Sequence, residues 1–246
     1  MAVHPPQYVI LPTLAHTHTL ILLHGRGSSG PEFASDLLES GISQSLPSWK
    51  LIFPTALSRH STVFQENMTE WFDIYSLTDP AAEASLQIDG LREGISYVQA
   101  LVDAELKDLP AERLAIGGIS QGAAVGVHAL MGGVRRRLGG FVGLSMWMPF
   151  VSEKKFGEEF YRSTLGVEGY GVIRQGRQEM LDTPVLLLHS ADDNVVDVAL
   201  GRETKRVMET LGFRVKWREY SDGGHWIQEP EGVSDLVAFL ETVGKK

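Results

Sequence analysis

The chain has 246 residues, 43% hydrophobic and 22% charged, which is ordinary globular usage and enough to bury a core without covalent staples. Cysteine is absent, so a disulfide scaffold, a cysteine-ligated metal cluster and a thiol nucleophile are excluded. The balance of 22 Lys and Arg against 31 Asp and Glu gives a net charge of −9, which argues against a nucleic-acid-binding surface.

Short apolar runs recur along the chain at intervals too long for hairpins. The first is Thr19–Leu23 and the second Leu51–Phe53, both continuous, as expected of strands buried on two faces. Ile88, Leu91, Ile95, Val98, Val102 and Leu106 then step by three or four residues along an amphipathic helix that ends before Pro110. Leu114–Ile116 and Phe141–Leu144 predict two more strands. Residues 152–181 are polar and punctuated by glycine, and read as an insertion with a short helix around Lys154–Arg162, either a lid or a plain surface excursion. Val185–Leu188 is the next strand. Val198, Thr204, Val207, Met208 and Leu211 predict a helix stopped at Gly212. Phe213–Tyr220 alternates as a half-exposed strand would, and Val233, Leu236, Val237 and Leu240 close the chain on a helix. Strands alternating with helices predict a single α/β domain over residues 1–246 with a mostly parallel sheet.

The most specific local pattern is Gly118-Ile119-Ser120-Gln121-Gly122, between a strand and a helix-capable run. A serine on so tight a turn needs small neighbours, because the flanking chain passes close by. The turn lifts the hydroxyl out of the sheet and presents the backbone N–H of Gln121 to an oxygen that becomes negative during acyl transfer. A serine hydroxyl also needs a base and a group to orient that base. Of the eight histidines, His24, His128 and His189 fall in or beside regular elements and read as structural, while His225 lies in a glycine-rich loop after the last strand. Asp192 and Asp193 follow the Val185–Leu188 strand, giving the order Ser…Asp…His of α/β-hydrolases. The loop His24-Gly25-Arg26-Gly27-Ser28-Ser29-Gly30 can supply a second oxyanion donor. It also spells a dinucleotide-binding glycine pattern, but the next strand runs into Pro54-Thr55-Ala56 and lacks the acid that would bind ribose.

Together HGRGSSG, WFD, GGISQG, LSMWMP, HSADDNVV and GGHW resemble the phospholipase/carboxylesterase family of α/β-hydrolases, which includes acyl-protein thioesterases and small carboxylesterases. The resemblance implies Ser120 as nucleophile, His225 as general base and Asp193, rather than Asp192, as the orienting acid. It implies the backbone N–H groups of Arg26 and Gln121 as the oxyanion hole, and Trp71, Trp147 and Met148 beside the substrate. For Trp71, plain core packing is an equal alternative. Two departures stand out: Arg26 occupies a position that is commonly apolar in acyl-protein thioesterases, and Ser28 one that is commonly aspartate. A cation beside the groove suits smaller or anionic esters.

The expectation is a serine hydrolase acting on small-to-medium acyl esters through an acyl-enzyme, with no metal or organic cofactor. The alternatives are an acyl-protein thioesterase or lysophospholipase acting on long-chain acyl groups, and a non-catalytic hydrolase-fold binding protein. The partners implied are a small-molecule ester or thioester, or an acylated protein, and no nucleic acid. No apolar run reaches the ~20 residues of a membrane span, and the N-terminus lacks a basic segment with a cleavage site, so a cytoplasmic protein without membrane insertion is expected. Oligomeric state has no signature in the sequence.

Overall fold

The computed structural model describes residues 3–134, 136–151, 160–166 and 179–245. Its strands and helices are, in chain order, β1 (Tyr8–Ile10), β2 (His18–Leu23), α1 (Gly30–Glu39), α2 (Ile42–Ser45), β3 (Trp49–Phe53), β4 (Ser58–Ser61), β5 (Glu66–Thr69), α3 (Ile88–Glu105), β6 (Leu114–Ile119), α4 (Gln121–Gly132), β7 (Gly140–Leu144), β8 (Val185–Ser190), α5 (Val198–Leu211), β9 (Val215–Tyr220) and α6 (Glu231–Leu240). Seven strands form one sheet in the order β1-β3-β2-β6-β7-β8-β9, while β4 and β5 pair as a separate hairpin. All pairings in the main sheet are parallel except that of β1, which runs antiparallel along the edge of β3. The expected α/β architecture with a mostly parallel sheet is therefore present. Much of the predicted insertion, including the start of its helix, lies outside the described residues; Phe160–Thr164 forms a short π-helical turn with Phe160 and Tyr161 buried.

Successive side chains of a strand point to opposite faces, so a continuous apolar run feeds two cores at once. On β2, Ile21 and Leu23 join one cluster and Leu20 and Leu22 the other. Helices α3 and α4, with Met208 of α5, cover the first face; α1, α2 and α6 cover the second. The same alternation organises β9. Lys216, Arg218 and Tyr220 all reach Asp235 on α6, whereas Glu219 pairs with Arg202 on α5. Helix α5 is capped by the Asp197 side chain, which accepts from the Ala199 N–H, and it ends at Gly212 with φ of 106°, as the sequence predicts.

A layer of loops and the β4–β5 hairpin sits above the carboxyl ends of the strands, and one acid is buried in it. Glu70 is fully buried, and neither carboxyl oxygen has a hydrogen-bond partner among the described residues. Burial, then the nearby Asp73, pushes its pKa up to about 7, against the pull of Arg26 and Arg59. A carboxyl whose pKa is raised by folding favours the folded state when protonated. Its contribution is present below the unfolded value, near 4.5, and is lost as pH rises through the folded value. Glu70→Gln should therefore stabilise the protein at pH 8 by up to about 3 kcal/mol, with the advantage closing as pH falls toward 4.5. Denaturant titrations of both proteins at several pH values check this; a difference independent of pH would refute it.

Candidate active site

In a parallel sheet every strand delivers its carboxyl end to the same edge, so loops distant in sequence converge there. Arg26 follows β2, Ser120 follows β6, Asp193 follows β8 and His225 follows β9. The crossover connections thus place all four sequence-predicted positions along one rim, with β6, β7, β8 and β9 side by side.

Ser120 sits on the turn between β6 and α4 with φ of 54° and ψ of −125°, a conformation a non-glycine residue adopts only when its surroundings force it. What forces it is the close passage of β2. A Cβ on Gly118 would strike the Leu23 carbonyl and the first turn of α4, and one on Gly122 would strike the carbonyls of Leu23 and His24. The turn is pinned from the other side by the Ser120 N–H, which donates to the Leu144 carbonyl at 2.9 Å. Ser120 remains 8% exposed and lines a narrow cleft with Arg26, Gln121, Trp147, Val196 and Leu200.

The backbone N–H groups of Arg26 and Gln121 have no protein acceptor among the described residues. For Gln121 this follows from its place as the first residue of α4, where an amide has no intrahelical partner. Its side chain is held behind the cleft: Oε1 accepts from the Trp71 N–H at 2.8 Å and Nε2 donates to the Phe72 carbonyl at 2.6 Å. The His24 imidazole fixes the opposing loop, with Nε2 accepting from the Ala56 N–H and Nδ1 donating to the Gly25 carbonyl. Burial lowers its pKa to about 4, consistent with a neutral ring. Gly27 N–H donates to the Thr69 carbonyl and Thr69 Oγ1 to the Ser28 carbonyl, tying the same loop to the β4–β5 hairpin.

Asp193 and His225 are joined directly. His225 Nδ1 lies 2.8 Å from Asp193 Oδ2 and 3.1 Å from Oδ1. The Asp193 side chain is wholly buried, that of His225 22% exposed. Burial alone would raise the Asp193 pKa, but hydrogen bonds from His189, His225 and the N–H groups of Val196 and Val195 together hold it well below the usual carboxylate range. The adjacent Asp192 is used differently, since its Oδ1 accepts from the Gly224 N–H at 2.9 Å and so anchors the loop that carries His225. The two acids, indistinguishable by spacing alone, are thus separated by geometry.

The aromatic positions divide. Trp147 lines the cleft, and with Met148 it also lines an adjoining trough of about 260 Å³ that includes Pro80, Phe150, Val151 and Leu200. Trp71 lies in the core behind Gln121, 1% exposed, with Nε1 donating to the His24 carbonyl; it is not among the residues lining the cleft. Arg26 does line the cleft, yet its guanidinium carbon stands 4.9 Å from the centre of the Phe64 ring, and Glu70 and Asp73 oppose its charge. Its cation rests on the hairpin's Phe64 ring, while Nη1 is buried with no hydrogen-bond partner among the described residues. Among the described residues no cluster of His, Asp and Glu could hold a metal ion, and no helix is long and apolar enough to cross a membrane.

Comparison with known proteins identifies the family. The chain is similar to acyl-protein thioesterase 1 of Yarrowia lipolytica, 31% identical over 233 residues that span 92% of each chain. It is 29% identical to acyl-protein thioesterase 1 of Neurospora crassa over 96% of this chain and 92% of that one. The crystal structure of Zea mays acyl-protein thioesterase 2 superimposes with a TM-score of 0.75 and 27% identity, covering 97% of this chain and 99% of that one. Esterase PE8, 21% identical with a TM-score of 0.72 over 98% of this chain and all of that one, shares the fold. The phospholipase/carboxylesterase family model matches residues 4–244, and the chain belongs to that family of hydrolases.

Proposed function

We propose that this hydrolase cleaves carboxylic esters and thioesters through an acyl-enzyme built on Ser120, His225 and Asp193. The observation that carries the reading is the strained Ser120 turn, opening on a cleft with two unengaged backbone N–H groups, on the same sheet edge as a buried Asp193–His225 pair. Ser120 Oγ attacks the substrate carbonyl while His225 takes its proton, and Asp193 stabilises the imidazolium that forms. The carbonyl oxygen becomes an oxyanion that accepts from the N–H groups of Arg26 and Gln121, each worth about 3–4 kcal/mol in sites of this type. His225 then returns the proton to the leaving alcohol or thiol, and the same imidazole activates the water that releases the acid. Every step runs on side chains and amides of this chain.

The acyl-thioester reading is favoured over small or anionic esters. The trough that adjoins the cleft has Trp147, Met148, Phe150 and Leu200 in its wall, which suits an apolar acyl chain, and Asp79 and Glu203 beside them, which disfavour an anionic one. The cation of Arg26, which on sequence alone suits an anionic ester, is turned onto the Phe64 ring of the hairpin. The relatives named acyl-protein thioesterase point the same way, with an acylated protein as the physiological partner.

Ser120→Ala should abolish hydrolysis of p-nitrophenyl esters and labelling by a fluorophosphonate probe while leaving the circular dichroism spectrum intact; undiminished turnover would sink the assignment. Asp193→Asn should lower kcat by about 10⁴-fold, whereas Asp192→Asn should cost less than tenfold. An equal loss in the two variants would refute the assignment of roles to the two acids. Across a series of p-nitrophenyl esters and an S-palmitoylated peptide, kcat/KM should rise with acyl length. A preference for acetyl or succinyl groups would reverse the substrate reading.

A further inference from the structure

Asp193 is held by a second histidine. His189, in β8, places its Nε2 3.3 Å from Asp193 Oδ2 and 2.9 Å from the Val196 carbonyl. A carbonyl cannot donate, so Nε2 must carry the proton, and it shares that proton between the carbonyl and the carboxylate. The other ring nitrogen is buried and has no partner among the described residues. It faces Gly201 of α5, where a Cβ would collide with it, and the Trp217 ring stands 6.1 Å from the imidazole. No acceptor waits at Nδ1, so the packing selects the neutral, Nε2–H tautomer.

The carboxylate is thereby divided. Oδ1 accepts from the N–H groups of Val195 and Val196, both at 2.9 Å, and lies 3.1 Å from His225 Nδ1, while Oδ2 lies between the two imidazoles, 2.8 Å from His225 Nδ1. The bond from His189 to Val196 also closes the turn on which Asp193 sits, joining the end of β8 to the approach to α5. Other charged groups nearby are committed elsewhere: Glu219 of β9 pairs with Arg202, Asp197 caps α5, and Asp192 binds Gly224.

We propose that His189 is a positioning residue, which fixes the Asp193 carboxylate and moderates the pull of its Oδ2 on His225. This rests on the catalytic reading above and extends it to a group with no path to substrate. A donor to Oδ2 withdraws negative charge from the oxygen nearer to His225. Without it, the carboxylate stabilises the protonated His225 more strongly, so a higher pH is needed to free the base.

The test compares His189→Phe, which keeps the ring and removes the donor, with His189→Gln, whose amide reaches toward the place of Nε2. In His189→Phe, kcat should fall by about 10–100-fold with KM little changed. The ascending limb of kcat/KM should move up by about half a pH unit. His189→Gln should restore the limb to its original position. Because the Phe variant can fail to fold, ¹⁵N spectra of the unaltered protein supply a second measurement, and should show His189 as the Nε2–H tautomer. Coincident pH profiles for the parent and His189→Phe, equal loss in Phe and Gln, or an Nδ1–H tautomer would each overturn the proposal. A parent that hydrolyses esters but shows one of these results removes this inference alone. A parent that neither hydrolyses esters nor labels at Ser120 removes the catalytic reading, and this inference with it.

Discussion

The turn between β6 and α4 leaves no room for a side chain at Gly118 or Gly122, two residues to either side of Ser120. Strand β2 passes so close that its last carbonyls touch Gly118 and Gly122, and the Ser120 N–H is held by the end of β7. This crowding does three things at once. It holds a serine at positive φ, it makes Gln121 the first residue of a helix with a spare N–H, and it sets the distance between that amide and the loop after β2. The strain is local, but the two cores of the sheet sustain it. Relaxing the turn would require β2 to separate from β6, a pairing in which Leu20, Ile21, Leu22 and Leu23 are wholly buried.

Around this turn the polar groups are held by backbone as much as by side chains. Gln121 is bound to the main chain of Trp71 and Phe72, and His24 to the main chain of Gly25 and Ala56. Such bonds cost little ordering at the moment of reaction, because both partners are already fixed by the fold. Asp193 shows the same economy: two amides and two imidazoles converge on one carboxylate in a buried site, where an unpaired charge would be expensive.

The parts of the fold that announce themselves in the sequence are those buried on both faces. The continuous runs of β2, β3, β6, β7 and β8 have no competing reading as exposed segments, and the long helix α3 carries a clean apolar stripe. Short edge elements and polar ones stayed hidden. Strand β1 is three residues on the sheet edge, and the β4–β5 hairpin is built from Ser, Arg, His, Glu and Asn with almost no apolar alternation. Helix α1 begins inside the glycine loop, so its start looks like more loop. The candidate positions were legible where chemistry demands a residue type, as at Ser120 and His225, while the pattern offered Asp192 and Asp193 alike and only the family resemblance preferred Asp193. Trp71 and His189 were not, because a buried tryptophan or histidine carries the same letters whether it packs, braces or binds. Only the bonds from Trp71 to Gln121 and His24, and from His189 to Asp193, tell these uses apart.

The β4–β5 hairpin, so poor in sequence signal, gives the site an unexpected lever. Two hydrogen bonds tie Thr69 to Gly27 and Ser28, while the Arg26 guanidinium rests on Phe64 at the hairpin tip. The loop that carries the Arg26 amide and the exposed hairpin are therefore one mechanical body. The position of the Arg26 N–H is set in part by the hairpin, through contacts that involve no residue of either core. Surface residues of the hairpin, remote in sequence from Ser120, thus share in shaping one wall of the cleft that Arg26 lines.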